Sequence, residues 1–205
     1  MGGFTISDLS ITNGTASDFV AVSTTVYTFS VTPSSQGTVV ISVPANSATD
    51  TAGNYNIRSN NVTTTYDSTP PTIAEVTAIT TPNSDTTPDY AFSSTEAGTI
   101  TYSGSCSATT TAQSGNNTIT LSALEEGTYN NCAITVTDAA GNTSAPLVLS
   151  TFTISTSVPQ VLVMSLSDST LTAGETAVFT VIFSKSVTAF SNADITTPNG
   201  TLSTI

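Results

Sequence analysis

Hydrophobic and polar residues alternate with a period of two in short runs along the chain, and this pattern predicts β-strands. The clearest runs are Tyr27 to Val31, Val39 to Val43 and Cys132 to Val136. The run from Phe179 to Phe183 is almost continuously apolar, which predicts a strand buried on both faces or nearly so. No apolar stripe at helical spacing exceeds two turns, and Asn-Gly and Ala-Gly-Asn clusters separate the runs. The pattern therefore predicts an all-β sandwich or barrel.

Two internal repeats divide the chain. Asp50 to Asn54 recurs as Asp138 to Asn142, 88 residues later, and Phe4 to Thr15 recurs as Phe190 to Thr201, 186 residues later. Because 186 is close to twice 88, one long period contains two domains. We therefore predict three parts: the C-terminal strands of one domain over residues 1–67, a complete domain over 68–155, and the N-terminal strands of a domain of the first type over 156–205.

The composition excludes several classes of function. Ser and Thr supply 74 of the 205 residues, and 14 acidic residues against two basic ones give a net charge of −12. This charge repels nucleic acid, which needs Lys and Arg to neutralise phosphates. The chain has no His, so it lacks the usual general base and the usual zinc ligand. No run of about 18 apolar residues is present, and we predict no membrane insertion, no nucleic-acid partner and no enzymatic activity.

Five motifs resemble the bacterial immunoglobulin-like repeats of large surface adhesins and biofilm proteins. They are TDTAGN at 49–54, TDAAGN at 137–142, the linker YDSTPPT at 66–72, SDLSITNGT at 7–15, and Leu124-x-x-Gly127-x-Tyr129, which looks like a tyrosine corner. The resemblance implies tandem immunoglobulin-like β-sandwiches in a rod, with one complete domain flanked by two partial ones. It also implies export to the cell surface and calcium at domain junctions. Met1-Gly2-Gly3 is not a signal peptide, so we expect the export signal and anchor to lie outside this sequence.

The two cysteines fall in the complete domain. Counting by two from Ile100 places Cys106 on the inward side of its strand, and Ile134 places Cys132 on the inward side of another. Two inward cysteines in a chain interpreted as secreted favour a disulfide within the domain. Free buried thiols are the alternative.

The acidic loops are the candidate metal site. In a sandwich of this type the loop before the last strand lies at the same end as the N-terminal linker, so we expect Asp138 near Asp67. Glu96 lies in another loop of that end, and Asn142 follows Asp138. Calcium takes six to eight oxygen ligands and needs no His, so these residues, with Asp50 in the equivalent loop, predict a structural Ca²⁺. The alternative is a plain turn in which Asp caps its own backbone and Gly has a positive φ.

The two partial domains carry apolar strands that a half sandwich would expose. Three alternatives follow: a fragment of a longer stalk, two halves of one chain closing on each other, or the tail of one chain completing the head of the next copy in an open filament. We interpret the chain as a non-enzymatic structural module of a bacterial cell-surface adhesin or extracellular filament, giving reach and cohesion, with neighbouring copies as partners. The alternative function is an adhesin module that binds a glycan or host protein through its loops.

Overall fold

The computed structural model describes residues 3–203 and is built from strands and two short 3-10 turns. The compact units divide between Ile154 and Ser155. The outer limits of the predicted domains, residues 1 and 205, lie outside the described residues. No helix within residues 3–203 has the length and apolar character needed to cross a bilayer.

The N-terminal region, residues 3–66, forms two small sheets. One has the order β1-β4-β5 and the other pairs β2 with β3, all antiparallel. Side chains of β3 alternate between half-buried and exposed, as the period of two predicts. Val39 is nevertheless the one hydrophobic residue of this described region that is fully buried. The strands are β1 (Ser10–Thr12), β2 (Gly14–Ala21), β3 (Tyr27–Pro33), β4 (Gly37–Ser42) and β5 (Val62–Tyr66).

The central region, residues 73–154, is a β-sandwich with a closed core. Its sheets have the orders β10-β7-β6 and β13-β12-β8-β9, and β11 pairs with β14. Tyr90 and Phe92 from the first sheet share one buried cluster with Ile134 and Val136 from the second. The strands are β6 (Ile73–Thr77), β7 (Asp89–Ser94), β8 (Gly98–Ser103), β9 (Thr111–Ala112), β10 (Gly115–Thr120), β11 (Gly127–Tyr129), β12 (Ala133–Thr137), β13 (Leu147–Val148) and β14 (Phe152–Ile154).

The C-terminal unit, described over residues 155–203, contains one hairpin of β15 (Val161–Leu166) and β16 (Phe179–Phe183). The prediction that β16 is buried on both faces is wrong. Its side chains alternate between half-buried and exposed, and Ile182 is 47% exposed. An apolar run predicts a strand that is able to be buried on both faces, but burial also requires a covering layer. Within this unit the described residues supply only the partner strand β15.

Candidate metal centre

The loop after β12 is closed by its own hydrogen bonds. The Oδ1 atom of Asp138 accepts bonds from the backbone N–H groups of Ala140 (2.8 Å) and Asn142 (2.9 Å). The Oδ2 atom accepts a bond from Nδ2 of Asn142 at 2.9 Å. Gly141 has a φ of 94°, in the left-handed region that favours glycine. The sequence Asp-x-x-Gly-Asn thus folds into a rigid turn that holds one carboxylate at the end of the sandwich.

Asp67 lies just after β5, in the linker between the N-terminal and central regions. Its Oδ1 atom accepts hydrogen bonds from Nε2 of Gln36 (2.7 Å) and from the backbone N–H of Thr69 (3.0 Å). Its backbone carbonyl accepts a 3.3 Å bond from Nδ2 of Asn142. Asp67 is therefore tied to a turn of the N-terminal region on one side and to the Asp138 loop on the other.

Glu96 completes a cluster of three carboxylates. It lies in the turn between β7 and β8, where the hydroxyl of buried Ser94 donates to its backbone carbonyl at 2.6 Å. One carboxylate oxygen from each of Asp67, Glu96 and Asp138 lies within 4.8 Å of the other two. All three side chains are half-buried. Within residues 3–203 this is the one trio of acidic, His or Cys side chains with such spacing.

The three carboxylates differ in their electrostatic environments. Burial, together with the negative charges of Asp67 and Asp138, raises the pKa of Glu96. Burial alone would raise the pKa of Asp138 as well, but hydrogen bonds from Asn142, Ala140 and Gly141 outweigh it and lower that pKa. The turn therefore keeps Asp138 ionised through its own hydrogen bonds, whereas burial and the neighbouring carboxylates disfavour the charged form of Glu96.

The donor set fits calcium. Two oxygens that both bind Ca²⁺ at about 2.4 Å are at most about 4.8 Å apart, which is the spacing of this trio. The backbone carbonyl of Asp67 is a further oxygen of the type that calcium accepts. Asn142, predicted as a ligand, instead turns its amide nitrogen toward this carbonyl and toward Asp138, so it positions these groups by hydrogen bonds. Both oxygens of Asp138 already accept hydrogen bonds, but a carboxylate has about four lone-pair sites and retains capacity for a cation.

The structure does not bring Asp50 into this cluster. Its loop repeats the Asp138 turn, with bonds to Asp50 from Ala52 N–H (2.8 Å), Asn54 N–H (2.9 Å) and Asn54 Nδ2 (2.9 Å), and with Gly53 at a φ of 91°. The Asp50 side chain is exposed, and within the described chain it belongs to no comparable group of three ligands. Both loops therefore show the features of the self-capped turn, and only the Asp138 loop gains neighbouring acids.

Sequence reasoning missed Gln36. Its amide nitrogen donates to Asp67, and its amide oxygen accepts the backbone N–H of Ser68 at 2.6 Å. Gln36 precedes Asp67 by 31 residues and sits in a short turn between β3 and β4. A Gln in such a turn carries no motif, so no signal in the sequence marked it.

Two predicted structural features of the central region are present. Cys106 and Cys132 form a disulfide with their Cα atoms 5.3 Å apart, and both are buried. The hydroxyl of Tyr129 donates to the backbone carbonyl of Glu125 at 2.9 Å, which is the tyrosine corner. The disulfide links the segment after β8 to the start of β12, its neighbour in the same sheet, and the tyrosine corner fixes the turn before β11. Neither contact belongs to the acidic cluster.

Comparison with known families agrees with this architecture. The sequence model of the bacterial Ig-like domain matches residues 1–66 and 155–205. Because the match covers more than half of the chain, the chain belongs to the bacterial Ig-like domain family. Domains of this family are structural or surface modules, usually extracellular and typically non-catalytic. A comparison with curated proteins gives no match.

Proposed function

We propose that the chain is a non-enzymatic structural module of a bacterial cell-surface adhesin or extracellular filament. It gives such a protein reach and cohesion, as immunoglobulin-like sandwiches in tandem would. Family membership and the all-β fold support this role. So does the composition, in which Ser and Thr supply 74 of the 205 residues and only two are basic, since small polar side chains suit exposure to solvent.

The observation that carries the proposal is the acidic cluster at the linker. Asp67 belongs to the segment that leaves β5, whereas Glu96 and Asp138 belong to loops of the central sandwich. A cation shared by the three would join the linker to the sandwich and resist bending there. A joint of this kind serves a stalk that transmits force along its length.

Calcium is the proposed cation. Asp67, Glu96 and Asp138 would supply carboxylate oxygens, and Asn142 would hold Asp138 and the Asp67 carbonyl in place through its amide nitrogen. Burial, with the negative charges of Asp67 and Asp138, raises the pKa of Glu96, and a bound cation would offset these effects by favouring the charged carboxylate. The two bases of the chain have hydrogen-bond partners of their own: Arg58 bonds to Asn61 at 3.3 Å, and Lys185 bonds to Ser155 at 2.9 Å.

Calorimetric titration of the full chain with Ca²⁺ tests the joint. We expect one strong site in the natural chain, its loss in Glu96→Gln, and its retention in Glu125→Gln. Glu125 is the matched control because its side chain is an exposed acid outside the cluster. Equal binding by both variants, or no binding by the natural chain, would remove calcium from the proposal.

Small-angle X-ray scattering and cell labelling test the structural role. We expect the maximum dimension of the chain to be better defined in calcium than in a chelator, because the linker stiffens. We also expect antibodies against the chain to label intact cells that carry its gene. Labelling only after permeabilisation would contradict a surface role.

A further inference from the structure

An open groove of about 350 Å³ lies on the loop that contains Asp50. Tyr55, one of its lining residues, is 65% exposed, and Ile57, two residues further on, is 88% exposed. Side chains so exposed contribute little burial of apolar area to the fold. The groove, called the Tyr55 groove below, is lined by Ala48, Thr49, Asp50, Asn54, Tyr55 and Asn56.

The equivalent loop of the central region has the same backbone. In each loop the residues that flank the turn form an antiparallel bridge, Thr49 with Tyr55 and Thr137 with Thr143. The backbone hydrogen bond one residue outside each bridge also matches, with lengths of 3.0 and 2.9 Å. The two loops therefore align residue by residue, 88 positions apart, and Thr143 takes the place of Tyr55.

The fold does not require a large side chain at either exposed position. The central loop forms with Thr143 in place of Tyr55 and Ala145 in place of Ile57. Both of these smaller residues are exposed, although the central region has both of its sheets. Exposure at the two positions therefore follows from the place of this loop in the fold. Tyr55 and Ile57 give the loop an apolar surface that the turn itself does not need, and Tyr is enriched at protein interfaces.

The polar side chains of the Tyr55 groove offer hydrogen-bond acceptors. Hydrogen bonds from the side chain and backbone of Asn54 lower the pKa of Asp50, so its carboxylate is charged at neutral pH. Three hydrogen bonds from the loop reach this carboxylate, which has about four lone-pair sites and accepts a further donor. Asn54 donates its amide nitrogen to Asp50 at 2.9 Å, so its amide oxygen is the group that it can offer a ligand.

Acceptors beside an exposed aromatic ring select a cation. A Lys ammonium or an Arg guanidinium carries only donors, and either one is attracted to the face of a Tyr ring. None of the described residues that line the groove is basic, and the net charge of −12 draws basic partners toward the chain. A saccharide needs donors as well as acceptors, whereas the amide nitrogens of Asn54 and Asn56 are already used inside the loop.

We infer that the Tyr55 groove binds a basic side chain, Lys or Arg, of an extended segment of a partner protein. The cation lies over the Tyr55 ring with Asp50 as its counter-ion, and Ile57 extends the contact to an apolar neighbour in the same segment. This inference goes beyond the proposed structural role, because it gives the module a protein-binding surface. It uses neither the acidic cluster nor calcium.

Fluorescence anisotropy with labelled peptides tests the groove. The probes are short peptides of alternating Gly and Lys or of alternating Gly and Arg at physiological salt, and a peptide of alternating Gly and Glu is the negative control. We expect weak, saturable binding of the basic peptides by the natural chain. Tyr55→Thr should weaken it by about three- to tenfold, because the ring is lost while every charge remains. Tyr55→Phe keeps the ring and should bind as the natural chain does.

Two charge variants separate the groove from general attraction to an acidic protein. Asp50→Asn and Glu125→Gln each remove one negative charge, and Glu125 is an exposed acid outside the groove. Asp50→Asn should weaken peptide binding by up to about fivefold, and Glu125→Gln by less than about twofold. Equal losses in the two variants, or unchanged binding by Tyr55→Thr, would overturn the inference, as would a natural chain that binds neither basic peptide.

Peptide titration followed by NMR locates the contact. Amide signals of residues 48–57 should shift, and those of the matched loop over residues 136–145 should not. Shifts confined to the acidic cluster would contradict the proposal, as would shifts at the groove with a neutral oligosaccharide and none with the basic peptides.

The same variant separates this inference from the proposed function. Tyr55→Thr should keep its fold, because the central loop forms with Thr143 at this place, and circular dichroism checks it. Its calorimetric titration with Ca²⁺ should match that of the natural chain. If the basic peptides do not bind while calcium binds normally, the Tyr55 groove is excluded as their site and the proposed function stands.

Discussion

The central region and the N-terminal region have similar strand-forming sequences but different interiors. Within residues 3–203, the fully buried hydrophobic residues other than Val39 lie between Ile79 and Ile154. In the central region both sheets are present and each covers the apolar face of the other. In the N-terminal region a three-stranded sheet has only the β2–β3 pair beside it, and the inward residues Tyr27, Phe29 and Val31 remain half-buried.

The comparison shows that alternating hydrophobic and polar residues are enough to form strands. A second complete sheet is needed to bury their hydrophobic side chains in a core. Stability in these sandwiches should therefore be concentrated where the two layers are both present, because burial of apolar area is the dominant favourable contribution. The flanking pieces should exchange amide hydrogens faster than the central region. The following substitutions measure that contrast.

The largest effect should come from truncating matched aromatic residues. Phe92→Ala removes a side chain with 0% exposure and should cost about 3–5 kcal/mol of unfolding free energy, the usual range for a buried Phe. Phe29→Ala, in a half-buried position of β3, should cost clearly less. Denaturant unfolding combined with hydrogen exchange resolved by region measures both. Equal costs would contradict the contrast between the two regions.

Removal of the disulfide should be the next largest effect. The double substitution of Cys106 and Cys132 by Ser opens a link of sequence separation 26 and should cost about 3 kcal/mol in the loop-entropy treatment. Hydrogen exchange should accelerate in the central region and stay unchanged in residues 3–66. Comparison with the reduced natural chain controls for the added hydroxyl groups. Acceleration in the N-terminal region as well would show that the two regions unfold together.

Substitutions in the two acidic loops should give different thermal stabilities in calcium and similar ones without it. Asp138→Asn and Asp50→Asn each keep an acceptor for the backbone of an almost identical turn, so in chelator their Tm values should be similar. Saturating calcium should raise the Tm of Asp50→Asn by about 5 °C, as for the natural chain, and leave Asp138→Asn unchanged. Thermal unfolding followed by circular dichroism measures this. A calcium response in Asp138→Asn would exclude that carboxylate as a ligand.

The smallest effect should come from substituting Glu75, which makes a pH-dependent contact in the central sandwich. Glu75 accepts the backbone N–H (3.0 Å) and the hydroxyl (2.7 Å) of Ser150. Burial alone would raise the pKa of Glu75, but these bonds outweigh it and lower the pKa. A lowered folded-state pKa stabilises the fold above the unfolded-state pKa, and that stabilisation is lost as pH falls through the folded value.

Glu75→Gln should therefore cost about 1 kcal/mol near neutral pH, and its difference from the natural chain should vanish as the pH falls through the lowered folded-state pKa of Glu75. Thermal unfolding of both proteins over a pH series gives the comparison. A difference independent of pH would indicate that packing, rather than the ionised carboxylate, accounts for the cost.

The sequence was sufficient for the strands and for much of the candidate site. Loop order in the sandwich placed Asp67, Glu96 and Asp138 at one end, and this inference succeeds because which loops share an edge is a topological property. The disulfide between Cys106 and Cys132 is present, but Cys106 lies beyond the end of β8, after Gly104 at a positive φ, so the period of a strand does not explain its burial.

Other features could not be predicted, for physical reasons. The apolar run of β16 indicates which residues are able to be buried, but not whether another layer is present to bury them. Gln36 reaches Asp67 through a contact between distant turns, and a single amide in a turn has no periodic or compositional signature. Asp50 and Asp138 have nearly the same local sequence, so only tertiary structure distinguishes the loop with acidic neighbours from the one without.

The Asp-x-x-Gly-Asn turn has a further consequence, which concerns evolution. Because each copy satisfies its own backbone through its own Asp and Asn, the loop folds in the same way whether or not other carboxylates surround it. Gain or loss of an ion site then needs changes only in neighbouring loops, with no rebuilding of the turn. A lineage of such repeats can vary the stiffness of successive joints one at a time, and a designer could install a new joint at Asp50 by adding two carboxylates nearby.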